Sequence, residues 1–358
     1  MKINKYKILL LITILPISLS LSACHINPVG LRRSNLHQGP AEKTQLMLGT
    51  VISASAYGEN ADHALDLAFT KVDEIDKKMS RYREGSEVDL INQNAGIGPV
   101  KVSPETFYVI ERSLDYARQT DGAFNPLIGE LVDLWAIGTE NEKVPDKKDI
   151  DNILPSLDYN YLKLNKDSYM VELTSDKVRL DLGAIAKGYA ADVMRDVLLE
   201  EGIDSALLNL GGNVIVIGRK PDGNPWAIGV QDPLGSERGE IAGIVNSIDT
   251  SVVTSGHYER FFESDGKRYH HIFDPFTGYP AEKGVISSTI ICPSSIDADA
   301  LSTSIFVLGK DKGLELIEAT ADAEAIIITE DLLVFTSSGI NDDLFELRNE
   351  ALVYEKSR

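Results

Sequence analysis

Residues 178–202 read VRLDLGAIAKGYAADVMRDVLLEEG, and this stretch indicates how the chain folds. Its first half has the composition of a strand, a Gly-containing turn follows, and the second half has the apolar spacing of a helix that ends at Gly202. Downstream, short apolar runs are separated by turn signals, which is typical of antiparallel sheet. These runs are NVIVIG (213–218), WAIGVQ (226–231), IAGIVNSI (241–248) and VISSTIIC (285–292).

Helical and strand patterns also flank this region. Apolar side chains three and four apart predict a helix over residues 61–79, and Ser103-Pro104-Glu105 is typical of a helix start. Because strands cluster between helices without strict alternation, the sequence predicts an α+β fold, with largely antiparallel sheet packed against helices. The remaining predictions are an opening strand in LMLGTVISASAYG (46–58), helices in ADALSTSIFVLG (298–309) and KGLELIEATA (312–321), and a hairpin of EAIIIT (324–329) with LLVFTSS (332–338).

The amino terminus has the pattern of a targeting segment. A lysine-rich start precedes an apolar run too short to span a bilayer, and the run ends in LSAC at Cys24. This pattern resembles the lipobox of bacterial lipoproteins; the alternatives are an ordinary secretory signal or a short buried segment. We therefore expect a signal peptide at 1–23, a lipidated Cys24 with a flexible tether at 24–45, and a single catalytic body at 46–358. The expected location is extracytoplasmic, anchored to the bacterial cell membrane.

Charge restricts the possible ligands. The chain has 35 Lys and Arg against 55 Asp and Glu, a formal net charge of −20. Removing residues 1–23 takes away three lysines and no acids, so −20 becomes −23. Such a surface disfavours nucleic acid, and it repels a phosphate-bearing ligand unless a metal or a local basic group intervenes. Apart from Cys24 the only cysteine is Cys292, so the mature chain can form no internal disulfide.

Three short motifs could carry chemistry. Asp299 and Thr303 lie four residues apart on one helix face and offer hard oxygen donors to Mg²⁺ or Ca²⁺, although spacing alone favours the simpler reading that Asp299 caps a helix and Thr303 is an ordinary helix residue. The turn in LDLGAIAKGYAAD (180–192) could direct backbone N–H groups and Lys187 at an anion, or it could serve close packing. In HHIFDPFTGYP (270–280) turn formation explains Asp274, Pro275 and Gly278 but not His271.

Taken together, the motifs resemble the ApbE-type FAD:protein FMN transferases, from about residue 46 to the late helices. HIFDPFTGYP (271–280) and DALST (299–303) are the most specific of them. The others are LGTVISA (48–54), MSRYREGSEVDLIN (79–92), TDGAFNPLIGELVDLW (120–135), LDLGAIAKGYAAD (180–192), LLNLGGNVIVIG (207–218) and TSGHYERFF (254–262).

The resemblance implies a set of site residues. It implies that Mg²⁺ is held by Asp299, Thr303 and the carbonyl of Ala184. Leu48 stands where relatives often have Met, and His257 stands where many relatives have an acid, so His257 receives no role. The residues that match the family's FAD contacts are Leu48, Tyr82, Ala123, Phe124, Asn125, Asp181, Lys187, His271 and Ile272.

The implied reaction moves FMN from FAD onto a Ser or Thr of an acceptor protein, an extracytoplasmic redox protein, and releases AMP. A hydroxyl nucleophile needs a base, and we expect His271 in that role, with Asp274 orienting the loop or the histidine. Two alternatives stay open: an FAD pyrophosphatase that uses water and yields FMN and AMP, and a flavin-binding lipoprotein without catalysis.

Overall fold

The computed structural model describes residues 39–235 and 239–355. The predicted signal peptide, Cys24 and the tether up to residue 38 lie outside the described residues. Within the described ranges, no helix combines the length and the apolar character needed to cross a membrane. All described residues belong to one unit of the fold.

The strands are numbered in chain order. They are β1 (Ala41–Met47), β2 (Thr50–Ala56), β3 (Val100–Lys101), β4 (Leu162–Asn165), β5 (Met170–Leu173), β6 (Ala206–Leu210), β7 (Asn213–Ile217), β8 (Trp226–Gln231), β9 (Ile241–Ser247), β10 (Ser251–Gly256), β11 (Phe261–Ser264), β12 (Lys267–His270), β13 (Val285–Cys292), β14 (Glu324–Thr329), β15 (Leu333–Thr336), β16 (Phe345–Leu347) and β17 (Val353–Glu355).

The helices are numbered in the same way. They are α1 (Ala61–Met79), α2 (Glu87–Gln93), α3 (Pro104–Gln119), α4 (Gly129–Trp135), α5 (Lys147–Ile153), α6 (Ala186–Glu200), α7 (Ser295–Leu308) and α8 (Lys310–Glu318), with short 3₁₀ turns at Leu154–Ser156 and Tyr159–Tyr161.

A nine-stranded sheet organises the molecule. Its strand order is β1-β2-β6-β7-β10-β13-β14-β15-β17, and only the β15–β17 pair is parallel. The smaller sheets have the orders β16-β9-β8 and β3-β5-β4, and β11 pairs with β12. The predicted α+β class with largely antiparallel sheet is confirmed.

The central strands of this sheet are buried on both faces. Along β14, Ala325 and Ile327 belong to the main core with α1, α6 and α7, whereas Ile326 and Ile328 belong to a second core with the sheet of β8, β9 and β16. Successive strand residues point to opposite faces, so double burial requires an unbroken apolar run. This explains why EAIIIT lacks the alternation of a half-exposed strand.

Helix starts follow the local signals in the sequence. The Ser103 hydroxyl accepts from the Thr106 N–H at 3.5 Å, and Pro104 occupies the first turn of α3. The predicted helix over residues 61–79 is confirmed as α1, whose buried residues are spaced by three and four. Helix α6 meets α7 closely at Gly188, where an added Cβ would lie 2.3 Å from the Ser295 carbonyl oxygen.

Two strand predictions and one boundary differ from the structure. LMLGTVISASAYG is not one strand, because Leu48 and Gly49 both have positive φ and form the tight turn between β1 and β2. The predicted tether reaches residue 45, but β1 starts at Ala41 and pairs with β2 along its whole length. The polar stretch AEKTQ (41–45) hides this edge strand, because it has no apolar alternation.

The predicted strand in VRLDLG was also wrong. These residues are extended, with one isolated bridge between Arg179 and Ile128. A side chain replaces the partner strand: Asn92 accepts from the Leu180 N–H at 2.7 Å and donates to the Leu180 carbonyl at 3.0 Å. The Asp181 N–H donates to the Pro126 carbonyl at 2.8 Å. The backbone is therefore satisfied without a ladder.

Candidate active site

Two tight turns and the end of strand β10 meet at one end of the large sheet. The β1–β2 turn touches the β6–β7 turn, because a Cβ added to Gly211 would lie 2.2 Å from the Thr50 hydroxyl oxygen. The Thr254 N–H of β10 donates to the Gly212 carbonyl at 3.4 Å. The motifs LGT, LGG and TSG, which are far apart in the sequence, thus form one edge of the site.

Arg260 connects this edge to His271. Its guanidinium Nη2 donates to the Gly49 carbonyl at 3.0 Å. Its own carbonyl oxygen faces both the main-chain N–H of His271 at 3.1 Å and the imidazole Nδ1 at 3.2 Å. A carbonyl can only accept, so the hydrogen-bond network assigns the proton to Nδ1 and leaves Nε2 as an acceptor.

The surroundings keep His271 neutral. Burial, the positive charges of Arg260 and Lys187, and the neighbouring His270 lower the pKa of His271 to about 3, against a smaller opposing effect of the bond to the Arg260 carbonyl. At neutral pH the imidazole is therefore uncharged and can accept a proton at Nε2.

Asp299 lies at the amino end of α6, although it belongs to α7. It is 3% exposed and accepts from Lys187 Nζ at 3.0 and 3.2 Å and from the Gly188 N–H at 3.0 Å. The ammonium and the positive end of the helix together balance the buried carboxylate. Lys187 Nζ also lies 3.5 Å from the Gly183 carbonyl, so the turn containing Ala184 lies beside this pair.

The oxygen donors here fit a magnesium ion. Asp299 supplies a carboxylate, Thr303 follows one turn later on α7 and is half-buried, and Ala184 offers a turn carbonyl. Mg²⁺ commonly takes one or two carboxylates and completes its shell with water and substrate phosphates. Within the described ranges no cluster of three or more His, Cys, Asp or Glu is suited to a metal. The assignment of these three ligands stays a prediction.

A second charged group surrounds Arg81, whose side chain is only 8% exposed. It pairs with Asp133 at 2.9 Å and with Asp181 at 3.4 Å. Burial raises the pKa of Asp181, while Arg81 and the Gly183 N–H, which donates to it at 2.7 Å, oppose this rise. Arg81 was missed at the sequence level, where its only signal was its position within MSRY.

Tyr82 and the segment Ala123–Asn125 have contrasting surroundings. The Tyr82 residue is 74% exposed, and its ring centroid lies 4.7 Å from the Arg81 guanidinium carbon, so a flat face is presented to solvent. Ala123, Phe124 and Asn125 are buried. Asn125 accepts from the Leu127 N–H at 2.9 Å and donates to the Leu157 carbonyl. The proposed FAD contacts of these residues stay predictions.

The loop 271–280 is shaped largely by Asp274. Its carboxylate accepts from the Phe276 N–H and its carbonyl from the Gly278 N–H, both at 2.8 Å. The charged side chain nearest to it is Lys283 at 3.8 Å, so its contacts correspond to orienting the loop. Below the loop, fully buried Trp135 donates from Nε1 to the Gly278 carbonyl at 2.9 Å.

These segments lie in one region of the molecule. The charge of Arg260 acts on Asp181 as well as on His271, and Lys187 acts on His271 while bonded to Asp299. Ile272 is buried next to His271, and Leu48 lies in the turn that Arg260 contacts. The sequence-predicted residues from the β1–β2 turn, α6, the 271–280 loop and α7 are thus brought together.

Comparison with known proteins agrees with this arrangement. The model of the ApbE family matches residues 48–327. The chain belongs to the ApbE family. Among ApbE relatives, the FAD:protein FMN transferase of Treponema pallidum (strain Nichols) is 38% identical over 318 residues, 84% of this chain and 87% of that protein. The one from Klebsiella pneumoniae (strain 342) is 38% identical over 294 residues, 82% and 90% of the two chains.

Solved ApbE structures share the fold. The ApbE protein of Thermotoga maritima superposes with a TM-score of 0.76 at 34% identity, covering 84% of this chain and 97% of that one. The flavin transferase ApbE of Vibrio cholerae gives a TM-score of 0.73 at 27% identity, covering 86% and 96%. The architecture built around the site is therefore that of the ApbE family.

Proposed function

We propose that this protein is an FAD:protein FMN transferase that moves FMN from FAD to a Ser or Thr hydroxyl of an acceptor protein, with Mg²⁺ bound, and releases AMP. Family membership and the names of the relatives support the flavin transfer. One observation of this chain supports the chemistry above all others: the Arg260 carbonyl bonds to Nδ1 of His271 and so leaves Nε2 as an acceptor.

In this proposal His271 acts as the general base. Nε2 accepts the proton of the acceptor hydroxyl while that oxygen attacks the phosphorus of the FMN half of FAD. A new P–O bond to the acceptor forms, and the P–O bond to AMP breaks. The Arg260 carbonyl stabilises the imidazolium through the Nδ1 proton until the base is deprotonated.

Asp299, Thr303 and the Ala184 carbonyl are the residues proposed to hold the metal. Bound there, Mg²⁺ would polarise the phosphoryl group and neutralise charge on the pyrophosphate. The Lys187 ammonium contacts both carboxylate oxygens of Asp299. A cation therefore already lies beside the carboxylate that the metal would use.

The deciding experiment is transfer to a defined acceptor. The purified protein is mixed with FAD, Mg²⁺ and a domain bearing a Ser/Thr flavinylation site, and the acceptor is weighed by intact-mass spectrometry. We expect an FMN-sized mass gain that EDTA or Asp299→Ala abolishes. Asp297→Ala is the matched control, since Asp297 lies on the same helix but pairs with Arg112.

Other products would point to the alternative functions. Free FMN and AMP with no acceptor gain would identify a pyrophosphatase. Intact FAD after prolonged incubation with Mg²⁺ and several acceptors would leave a flavin-binding lipoprotein.

We further propose that Cys24 is lipidated and that the enzyme is anchored outside the cytoplasm, where it serves an extracytoplasmic redox protein. The n-region, apolar run and LSAC motif support this proposal. Expression of the full chain in a bacterial host should give a membrane-bound, lipid-labelled product, and Cys24→Ala should remove the label. An unchanged label would exclude Cys24 as the acylated residue.

A further inference from the structure

The two cations nearest His271 differ in what they already contact. Lys187 is bonded to both carboxylate oxygens of Asp299, so its charge is largely used inside the protein. Arg260 is exposed, and among the described residues its guanidinium has one hydrogen-bond partner, the neutral carbonyl of Gly49. No carboxylate in residues 39–235 or 239–355 forms a salt bridge with Arg260. A guanidinium has five N–H donors, so most of those of Arg260 remain available.

Arg260 links the β1–β2 turn to the proposed base. Its main chain holds His271, its side chain reaches the β1–β2 turn, and its charge helps to lower the pKa of His271 and partly opposes the burial that raises the pKa of Asp181. The charge of the guanidinium therefore acts on both the base and Asp181. The carbonyl of Gly49 also restrains the side chain before any ligand arrives, which reduces the entropy cost of binding.

We propose that Arg260 is a substrate-binding residue that recognises the phosphate groups of the flavin nucleotide, an inference that rests on the proposed function. A planar guanidinium matches phosphate oxygens in a bidentate manner. The protein's formal charge of −20 makes a local cation necessary for a pyrophosphate ligand. In this proposal Lys187 neutralises the charge of Asp299, and Arg260 contacts the phosphates. The sequence motifs did not single out Arg260.

The test compares ligands with and without phosphate. Affinities of the full protein for FAD and for riboflavin are measured by flavin fluorescence, with Mg²⁺ at fixed ionic strength. Arg260→Gln should weaken FAD binding about 10- to 100-fold, the loss of charge-assisted hydrogen bonds, and leave riboflavin binding unchanged. The inhibition constant of inorganic pyrophosphate should rise by a similar factor, and Arg260→Lys should recover part of the loss.

Arg268→Gln is the matched control, because Arg268 lies in the β11–β12 hairpin that directly follows Arg260 but contacts Glu263 and the Phe261 ring. Equal losses for FAD and riboflavin in Arg260→Gln would overturn the proposal and give Arg260 a purely structural role. Unchanged FAD affinity would also overturn it. If either result is found and the wild-type protein still transfers FMN, the proposed function stands but Arg260 is not part of it. A wild-type protein that binds no FAD would contradict both the proposed function and the role of Arg260.

Discussion

His271 owes its tautomer to a main-chain carbonyl and not to a carboxylate. In many catalytic histidines an acidic side chain holds Nδ1, and it also stabilises the charged imidazolium. Here the partner is the Arg260 carbonyl, which orients the ring without adding negative charge. The nearby charges are positive, so they favour the neutral imidazole. For the same reason the imidazolium should release its proton quickly once the attack is complete.

Removing this imidazole should abolish most of the transfer. We expect His271→Ala to lower the rate of acceptor flavinylation roughly 10²- to 10⁴-fold, the usual contribution of a general base, with little change in FAD affinity. The measurement is the initial rate of mass gain on the acceptor. His63→Ala, on the exposed side of α1, is the control. A His271→Ala protein as fast as wild type would exclude this base.

The depressed pKa of His271 also sets the pH profile. The neutral form is the active one, so activity is lost as pH falls through the folded-state pKa, which is about 3. The rate of transfer should therefore show no histidine titration between about pH 8 and about pH 5, although a free imidazole would titrate there. Rates in overlapping buffers test this, and an inflection near the ordinary histidine pKa would contradict it.

At the scale of elements, the crossing of α6 and α7 determines the geometry of the metal-ligand region. Gly188 lets the two helices approach so closely that its own N–H bonds to Asp299. The same contact places the positive end of α6 next to that carboxylate. Close packing and charge balance therefore depend on one glycine.

Gly188→Ala should destabilise the protein, because it disturbs both the packing of α6 on α7 and the charge balance at Asp299. An added Cβ would lie 2.3 Å from the Ser295 carbonyl and 2.7 Å from Ile296 Cα, and these are backbone atoms that cannot rotate away. We expect the free energy of unfolding to fall by about 3 kcal/mol, the upper part of the range for overpacking, as measured by urea denaturation. Gly98→Ala, where an added Cβ meets nothing within 4 Å, is the control. Equal midpoints for the two variants would contradict the close crossing.

Elements with local signals could be predicted from the sequence, and elements that depend on distant partners could not. The cap at Ser103 and the spacing in residues 61–79 are local, and both helices are where they were expected. Residues 178–183 have the composition of a strand, but Asn92 takes the place of the partner strand. A side chain 88 residues away leaves no pattern in the neighbouring sequence.

The site was predictable to a similar extent. His271, Asp299 and Lys187 lie in motifs specific enough to be singled out. Arg81 and Arg260 act through long-range contacts, with Asp181 and with the Gly49 carbonyl, and no spacing rule links these positions. The ion pair between Lys187 and Asp299 could not be predicted from the sequence either, because the two residues lie 112 positions apart.

At the scale of the whole molecule, net charge opposes folding. The salt bridges found among the described residues are mostly exposed, and such pairs contribute about 0–1 kcal/mol each. The formal charge of −20 acts against the compact state as a whole. Screening by salt should therefore weaken the repulsion among the excess acidic groups more than it weakens the attraction within the salt bridges.

Raising NaCl from about 20 mM to about 300 mM should thus increase the melting temperature at neutral pH. Calorimetry in a non-chelating buffer measures the change. Near the sequence pI of about 4.7 the net charge is small, so the same change of salt should have little effect there. A lower melting temperature at high salt and neutral pH would mean that attractive pairs dominate.

The placement of Trp135 gives the protein an internal optical probe. The chain has only two tryptophans: Trp135 lies under the 271–280 loop, bonded to the Gly278 carbonyl, and Trp226 belongs to the second core. A flavin absorbs where tryptophan emits, so excitation energy can pass from the indole to a bound ligand and quench its fluorescence. Tryptophan emission thus senses flavin binding near the 271–280 loop without any label.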